Sequence, residues 1–201
     1  MHPGRAVFLD RDGVLIADVH YLTAEDQIRV LPRVPEALAR LRAGGWRLIV
    51  ATNQSVVARG WITEEDLRRI HRALLGALRE RGAEIDAVYY CPHHPGAAVA
   101  AYRRACDCRK PGPGMLLRAA RDFGLDLQAS VIVGDAASDI EAGRRAGCRA
   151  VRIDAGGRED RGGADREPRS DRSPGGAGAP DYVAADLWDA AGWILGAGPG
   201  A

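Results

Sequence analysis

Apolar residues fall along the chain in short unbroken runs, each followed by a longer stretch in which they recur every three or four positions. Runs of the first kind are Ala6–Leu9, Arg47–Ala51, Ala87–Tyr90, Ser130–Val133 and Ala150–Ile153. Most lack polar alternation, which suits strands covered on both faces. The second kind predicts a helix over Pro35–Ala43, where Val34, Leu38 and Leu41 share a face, stopped by Gly44-Gly45. Thr63-Glu64-Glu65-Asp66 reads as a capping box that opens the longest helix, with Leu67, Ile70, Leu74 and Leu78 along one side. Helices are also expected at Gly114–Phe123 and Ser138–Ala146, closed by Gly124 and Gly147. Alternating strands and helices predict an α/β fold, a Rossmann-like parallel sheet flanked by helices.

The 201 residues suit one domain spanning 1–201. From Asp154 to Pro180 almost nothing is apolar, so the segment cannot offset its own ordering entropy, and a mobile loop is expected over 154–180. Beyond it Leu187, Trp188, Ala191 and Leu195 predict a final packed helix. A formal net charge of +1 supplies no field that would draw the chain to nucleic acid or an anionic membrane. The opening apolar run is too short for an export signal or a membrane span, so a cytoplasmic monomer is expected.

Two strand ends carry carboxylates. Val7-Phe8-Leu9-Asp10-Arg11-Asp12-Gly13 ends an apolar run in two aspartates, and alternation of an extended chain points Asp10 and Asp12 the same way with Arg11 opposed. At the carboxyl end of a parallel strand such a pair can hold a hard cation and face a phosphate. One Asp can attack phosphorus while the other protonates the leaving oxygen and later activates water. Val131-Ile132-Val133-Gly134-Asp135 delivers a third carboxylate in the same way, and Asp139 either steadies that shell or caps its helix. Thr52, Asn53, Gln54 and Ser55 follow another strand and can donate to phosphate oxygens, or serve as helix caps. Lys110 offers the cation that a phosphoryl transition state needs, and Arg109 can fork onto a second anion.

Cys91-Pro92-His93-His94 and Cys106-Asp107-Cys108 form two close ligand pairs joined by a loop, which suits a closed tetrahedral site for structural zinc. His94 is a rival ligand, but a spacing that mirrors Cys106 and Cys108 favours His93. Such an ion would pin the loop that delivers Arg109 and Lys110. Cys148, alone in an apolar setting, reads as a small core residue.

Asp10-Arg11-Asp12-Gly13, Thr52-Asn53-Gln54, Lys110-Pro111 and Gly134-Asp135 resemble, in order and spacing, the four motifs of the haloacid dehalogenase superfamily. With Cys91, His93, Cys106 and Cys108 added, the resemblance narrows to the D-glycero-D-manno-heptose 1,7-bisphosphate 7-phosphatase family, over residues 6 to about 153. It implies a phosphoric monoester hydrolase with Asp10 as nucleophile and Asp12 as general acid and base. Mg²⁺ would be held by Asp10, the Asp12 carbonyl and Asp135. Thr52 and Lys110 would stabilise the phosphoryl group. A phosphorylated sugar would be recognised by Arg109, by the segment from Asp18 to Tyr21, and by Asn53, Gln54 and Ser55. Ala136 departs from the pattern, which has a lysine there. The intervals from Gly13 to Trp46 and from Lys110 to Asp135 are too short for a large cap domain, so an open site is expected. Histidinol-phosphate phosphatase is the rival reading among phosphatases, and a zinc-stabilised binding module without catalysis is the rival of another class.

Overall fold

A computed structural model of the chain describes residues 4–154 and 178–196. The strands are β1 (Ala6–Leu9), β2 (Arg47–Asn53), β3 (Ala87–Cys91), β4 (Val131–Gly134), β5 (Arg149–Ile153) and β6 (Tyr182–Ala184). The helices are α1 (Val34–Ala43), α2 (Ser55–Ala58), α3 (Glu64–Arg79), α4 (Gly114–Phe123), α5 (Ala137–Ala146) and α6 (Leu187–Gly196). All six strands pair in parallel in the order β3-β2-β1-β4-β5-β6. The expected parallel sheet is present, with β6 added at its edge. The loop expected over 154–180 falls, from 155 to 177, outside the described residues.

Strand alternation divides the core between the two faces of the sheet. Val7, Leu9, Leu48, Val50, Val131, Val133 and Val151 pack with Leu38 and Leu41 of α1, Ile70, Leu74 and Leu78 of α3, and Ile194 of α6. Ala6, Phe8, Ile49, Ala51, Ile132 and Ala150 pack with Met115, Leu116 and Ala119 of α4 and with Ile140 of α5. Cys148 lies in this second cluster, where burial pushes its thiol up to about 12, with Asp126 adding to the effect. Thr63 caps α3 as its sequence predicts: its hydroxyl accepts from the Asp66 N–H at 3.1 Å, and the Thr63 N–H donates back to Asp66 at 3.0 Å.

After β1 the chain adds β2 and β3 on one side, then returns to place β4 on the other. The crevice at the carboxyl ends of β1 and β4 is therefore the switch point at which open α/β sheets bind ligands. Asp10 follows β1 and Asp135 follows β4 at this crevice, and the Asp10 N–H still donates to the Val133 carbonyl at 2.9 Å. Among the described residues, the interval after Gly13 holds isolated bridges and one short 3-10 turn before α1, and that from Lys110 to Asp135 holds only α4 and strand β4. Neither interval contains a cap domain. No described helix is long and apolar enough to cross a membrane.

Candidate active site

Carboxylate oxygens of Asp10, Asp135 and Asp139 lie within 4.8 Å of one another. Asp10 Oδ1 and Asp139 Oδ1 are buried without an aligned hydrogen-bond donor. Gly13 adopts φ +79°, and a Cβ there would collide with the Asp135 carboxylate. A glycine that lets backbone press against a carboxylate, beside an all-oxygen donor set, fits a hard divalent cation such as Mg²⁺. The Asp12 carboxylate is not part of this group.

Lys110 is 2 % exposed, and its ammonium is enclosed by acceptors. It donates to the Ala51 carbonyl at 2.8 Å, meets Asp10 Oδ1 at 2.9 Å, and pairs with Asp139. Burial alone would lower its pKa, but the two carboxylates hold it above the ordinary lysine value, so it remains an ammonium. Asp139 serves both purposes that its position allows: Oδ1 faces Lys110, and Oδ2 accepts from the Ala136 N–H at 3.0 Å at the start of α5. Asn53 clasps the same loop, donating to the Lys110 carbonyl and accepting from the Lys110 N–H, both at 3.0 Å. An asparagine expected to touch substrate thus also fixes the Lys110 backbone.

Strand β1 ends at Leu9, so the alternation expected through residue 12 does not persist. Arg11, rather than facing away, folds under the site with only 1 % exposure and grips its neighbour. Arg11 Nη2 donates to Asp12 Oδ2 at 2.9 Å, and Nε to Asp12 Oδ1 at 3.2 Å. Gln54 completes the frame: Nε2 donates to Asp12 Oδ2 at 3.0 Å and to Thr52 Oγ1 at 2.9 Å, while Oε1 accepts from Arg11 Nη2 at 2.9 Å. Because Thr52 Oγ1 accepts there, its own proton is not used in that bond and can be given to a phosphate oxygen. Burial pushes the Asp12 carboxyl above its usual range, against the lowering effect of Arg11, which favours a group that carries a proton to donate.

Sequence reasoning passed over His71. It lies on the apolar face of α3, is 6 % exposed, and its Nε2 sits 3.2 Å from Arg11 Nη1. A guanidinium has no acceptor, so Nε2 must accept and the ring proton must lie on Nδ1. Burial, and secondarily the Arg11 charge, lower the His71 pKa to about 3, so the ring is neutral. A histidine interrupting an otherwise apolar helical stripe was the only available signal.

The remaining residues expected to contact substrate are Asp18, Tyr21, Ser55 and Arg109. Asp18 Oδ1 accepts from the His20 N–H at 2.8 Å, and Ser55 opens α2. Tyr21 meets Trp61 edge-on with ring centroids 4.6 Å apart, and the Arg59 guanidinium lies 5.1 Å from the Tyr21 ring and 5.4 Å from that of Trp61. Arg109 Nη1 donates to the His93 carbonyl at 3.4 Å, which ties it to the cysteine-rich loop.

In that loop, ligand atoms of Cys91, His93, Cys106 and Cys108 lie within 4.8 Å of one another. Sulfur separations are 3.5, 3.0 and 3.2 Å. Those values are far above the disulfide bond length of about 2.05 Å. They approach the roughly 3.8 Å edge set by tetrahedral Zn–S bonds of about 2.3 Å. His93 turns Nδ1 to the sulfurs, 3.4 Å from Cys108 and 3.7 Å from Cys91, whereas His94 Nδ1 accepts from the Gly96 N–H at 3.0 Å. Burial pushes the Cys91 thiol up, and Cys108 to about 11, so these two thiols hold their protons until a cation offsets the charge. This quartet fits zinc, with His93 rather than His94 as its nitrogen ligand.

Comparison with known proteins accords with this geometry. The model of the haloacid dehalogenase-like hydrolase family matches residues 8–147, and a HAD-hydrolase-like model matches residues 107–190. The chain belongs to the haloacid dehalogenase-like hydrolases. A D-glycero-beta-D-manno-heptose-1,7-bisphosphate 7-phosphatase of Rhodopseudomonas palustris is 44% identical over 149 residues, 74% of this chain and 83% of that relative. The protein of the same name from Escherichia coli strain K12 is 42% identical over 137 residues, 68% of this chain and 72% of its own. The crystal structure of D,D-heptose 1,7-bisphosphate phosphatase from B. bronchiseptica, complexed with magnesium and phosphate, is 32% identical, with a TM-score of 0.77, covering 96% of this chain and 98% of that chain. Within the superfamily, then, the chain is a member of the heptose bisphosphate phosphatase family and a phosphoric monoester hydrolase.

Proposed function

We propose that this protein is a single-domain, magnesium-dependent phosphatase that hydrolyses the 7-phosphate of D-glycero-D-manno-heptose 1,7-bisphosphate through an aspartyl-phosphate on Asp10. The observation that carries this reading is the convergence of Asp10, Asp135, Lys110 and the framed Asp12 on one switch point. Homologues bearing that activity, at 44% and 42% identity, support the choice of substrate.

A carboxylate oxygen of Asp10 bonds to phosphorus as the bond from phosphorus to the sugar oxygen breaks, and Asp12 gives its proton to that departing oxygen. Asp12, now a carboxylate, takes a proton from water as the water oxygen bonds to phosphorus and the acyl-phosphate bond breaks, releasing inorganic phosphate. Lys110 and the Thr52 hydroxyl meet the negative charge that spreads over the phosphoryl oxygens. Magnesium, held by Asp10, Asp135 and the Asp12 carbonyl, would neutralise further charge on that group. Zinc in the Cys91, His93, Cys106 and Cys108 quartet would fix the loop that carries Arg109, whose guanidinium would recognise the non-reacting part of the sugar phosphate. With no cap domain among the described residues, that recognition falls to short loops.

Phosphate release from the heptose bisphosphate and from histidinol phosphate tests the reading, together with Asp10→Asn. The bisphosphate should be the better substrate by kcat/KM, and Asp10→Asn should lose at least about 1000-fold while remaining folded. Preference for histidinol phosphate would overturn the substrate; retained turnover in Asp10→Asn, or after complete magnesium removal, would overturn the mechanism.

A further inference from the structure

We propose that Arg11 and His71 are a positioning pair that aims the Asp12 carboxyl at the leaving oxygen, an inference that rests on Asp12 being the general acid. Asp12 sits on a turn just past the end of β1, where its backbone is tied only by an isolated bridge to Ile16, which leaves the carboxyl's own direction to its side-chain partners. What holds its carboxyl are two Arg11 donors and Gln54 Nε2. Arg11 can hold that pose only if its own guanidinium is fixed, and its remaining edge is fixed by His71 Nε2 at 3.2 Å. His71 stands on α3, whose buried residues Ile70 and Leu74 pack in the core beneath the sheet. The orientation of the acid is thereby referred, through one side-chain chain, to a sixteen-residue helix rather than to its own loop.

Neutral histidine suits this task. A second cation would repel the guanidinium, and an apolar side chain would leave a buried donor without an acceptor. Nothing in the arrangement gives His71 contact with substrate, so its effect must pass through Asp12.

That dependence has a kinetic signature. Loss of acid catalysis harms substrates in proportion to how much their leaving group needs a proton, whereas general damage to the site harms all substrates alike. We would measure kcat/KM, which reports the first phosphoryl transfer, on the heptose bisphosphate, phenyl phosphate and p-nitrophenyl phosphate. The proteins would be wild type, His71→Phe, His71→Gln, Arg11→Lys and Asp12→Asn. Asp12→Asn fixes the scale: a loss that grows steeply from p-nitrophenyl to alkyl phosphate. His71→Phe should lose about 10- to 100-fold on the sugar phosphate and under about threefold on p-nitrophenyl phosphate. His71→Gln, whose amide oxygen can accept from Arg11, should recover most of the difference. Arg11→Lys keeps the buried charge but not the fork, should show the same selective loss, and is read alone if His71→Phe does not fold. Equal losses on all three substrates in the folded positioning variants, with a steep dependence in Asp12→Asn, would overturn the positioning pair. A flat profile in Asp12→Asn itself would instead overturn the assignment of Asp12 as the acid.

Discussion

The buried neutral His71 should make the fold sensitive to acid in a way that one substitution removes. Its pKa drops from 6.5 to about 3 on folding because burial, and then the Arg11 charge, disfavour the imidazolium. Between those values the unfolded chain binds a proton that the native state refuses, so stability rises with pH and is lost on acidification. The slope approaches about 1.4 kcal/mol per pH unit, and between about pH 7.5 and about pH 4.5 the loss amounts to about 2–3 kcal/mol. Urea unfolding of wild type and His71→Gln across that range isolates the contribution, because carboxylate and thiol titrations are common to both proteins and cancel in the difference. His71→Gln is expected to start less stable at neutral pH and to approach or overtake wild type at the acid end. Profiles that run parallel within about 0.5 kcal/mol would show that His71 titrates normally in the fold, and the neutral acceptor inferred for Arg11 would fall with it.

Gly13→Ala should separate stability from activity. The left-handed backbone at φ +79° costs a side chain about 1–2 kcal/mol. Displacing Asp135 should cost at least about 100-fold in kcat/KM and raise the magnesium needed for half-maximal rate. A thermal melt and a magnesium titration check both, and near-wild-type kinetics would deny Asp135 its place at the cation. Removing zinc with a chelator should lower the melting temperature and the rate together, with both restored by added zinc; a melt unchanged after metal analysis shows the ion gone would refute a structural role for the quartet.

The sheet was legible because its central strands are covered on both faces and read as apolar runs. β6 escaped for the opposite reason. It is a three-residue edge strand with Val183 46% exposed, so burial left little mark on its sequence. α2 is a single turn between Gln54 and Arg59, too short for a helical period to register. Asp10 and Asp135 stood out because each ends a buried strand, and the cysteine quartet because ligand spacing is itself a sequence property.

What could not be read is the set of contacts that spans long stretches of chain. Asn53 was expected to contact substrate, but its hold on Lys110, 57 residues away, could not be foreseen. Arg11 was expected to turn from the aspartates because alternation was carried beyond Leu9, yet the chain bends there and burial makes Asp12 its nearest counter-ion. His71 reads as one more core position in a helical stripe, and only the fold brings Arg11 beneath it. A buried guanidinium requires acceptors, and satisfying them links the turn after β1 to β2 through Gln54 and to α3 through His71. The same bonds that remove the cost of burying Arg11 also orient Asp12, so folding and catalytic alignment are met here by one network. Substitutions at Arg11, Gln54 or His71 should therefore alter stability and leaving-group dependence together, whereas core substitutions away from the network should alter stability alone.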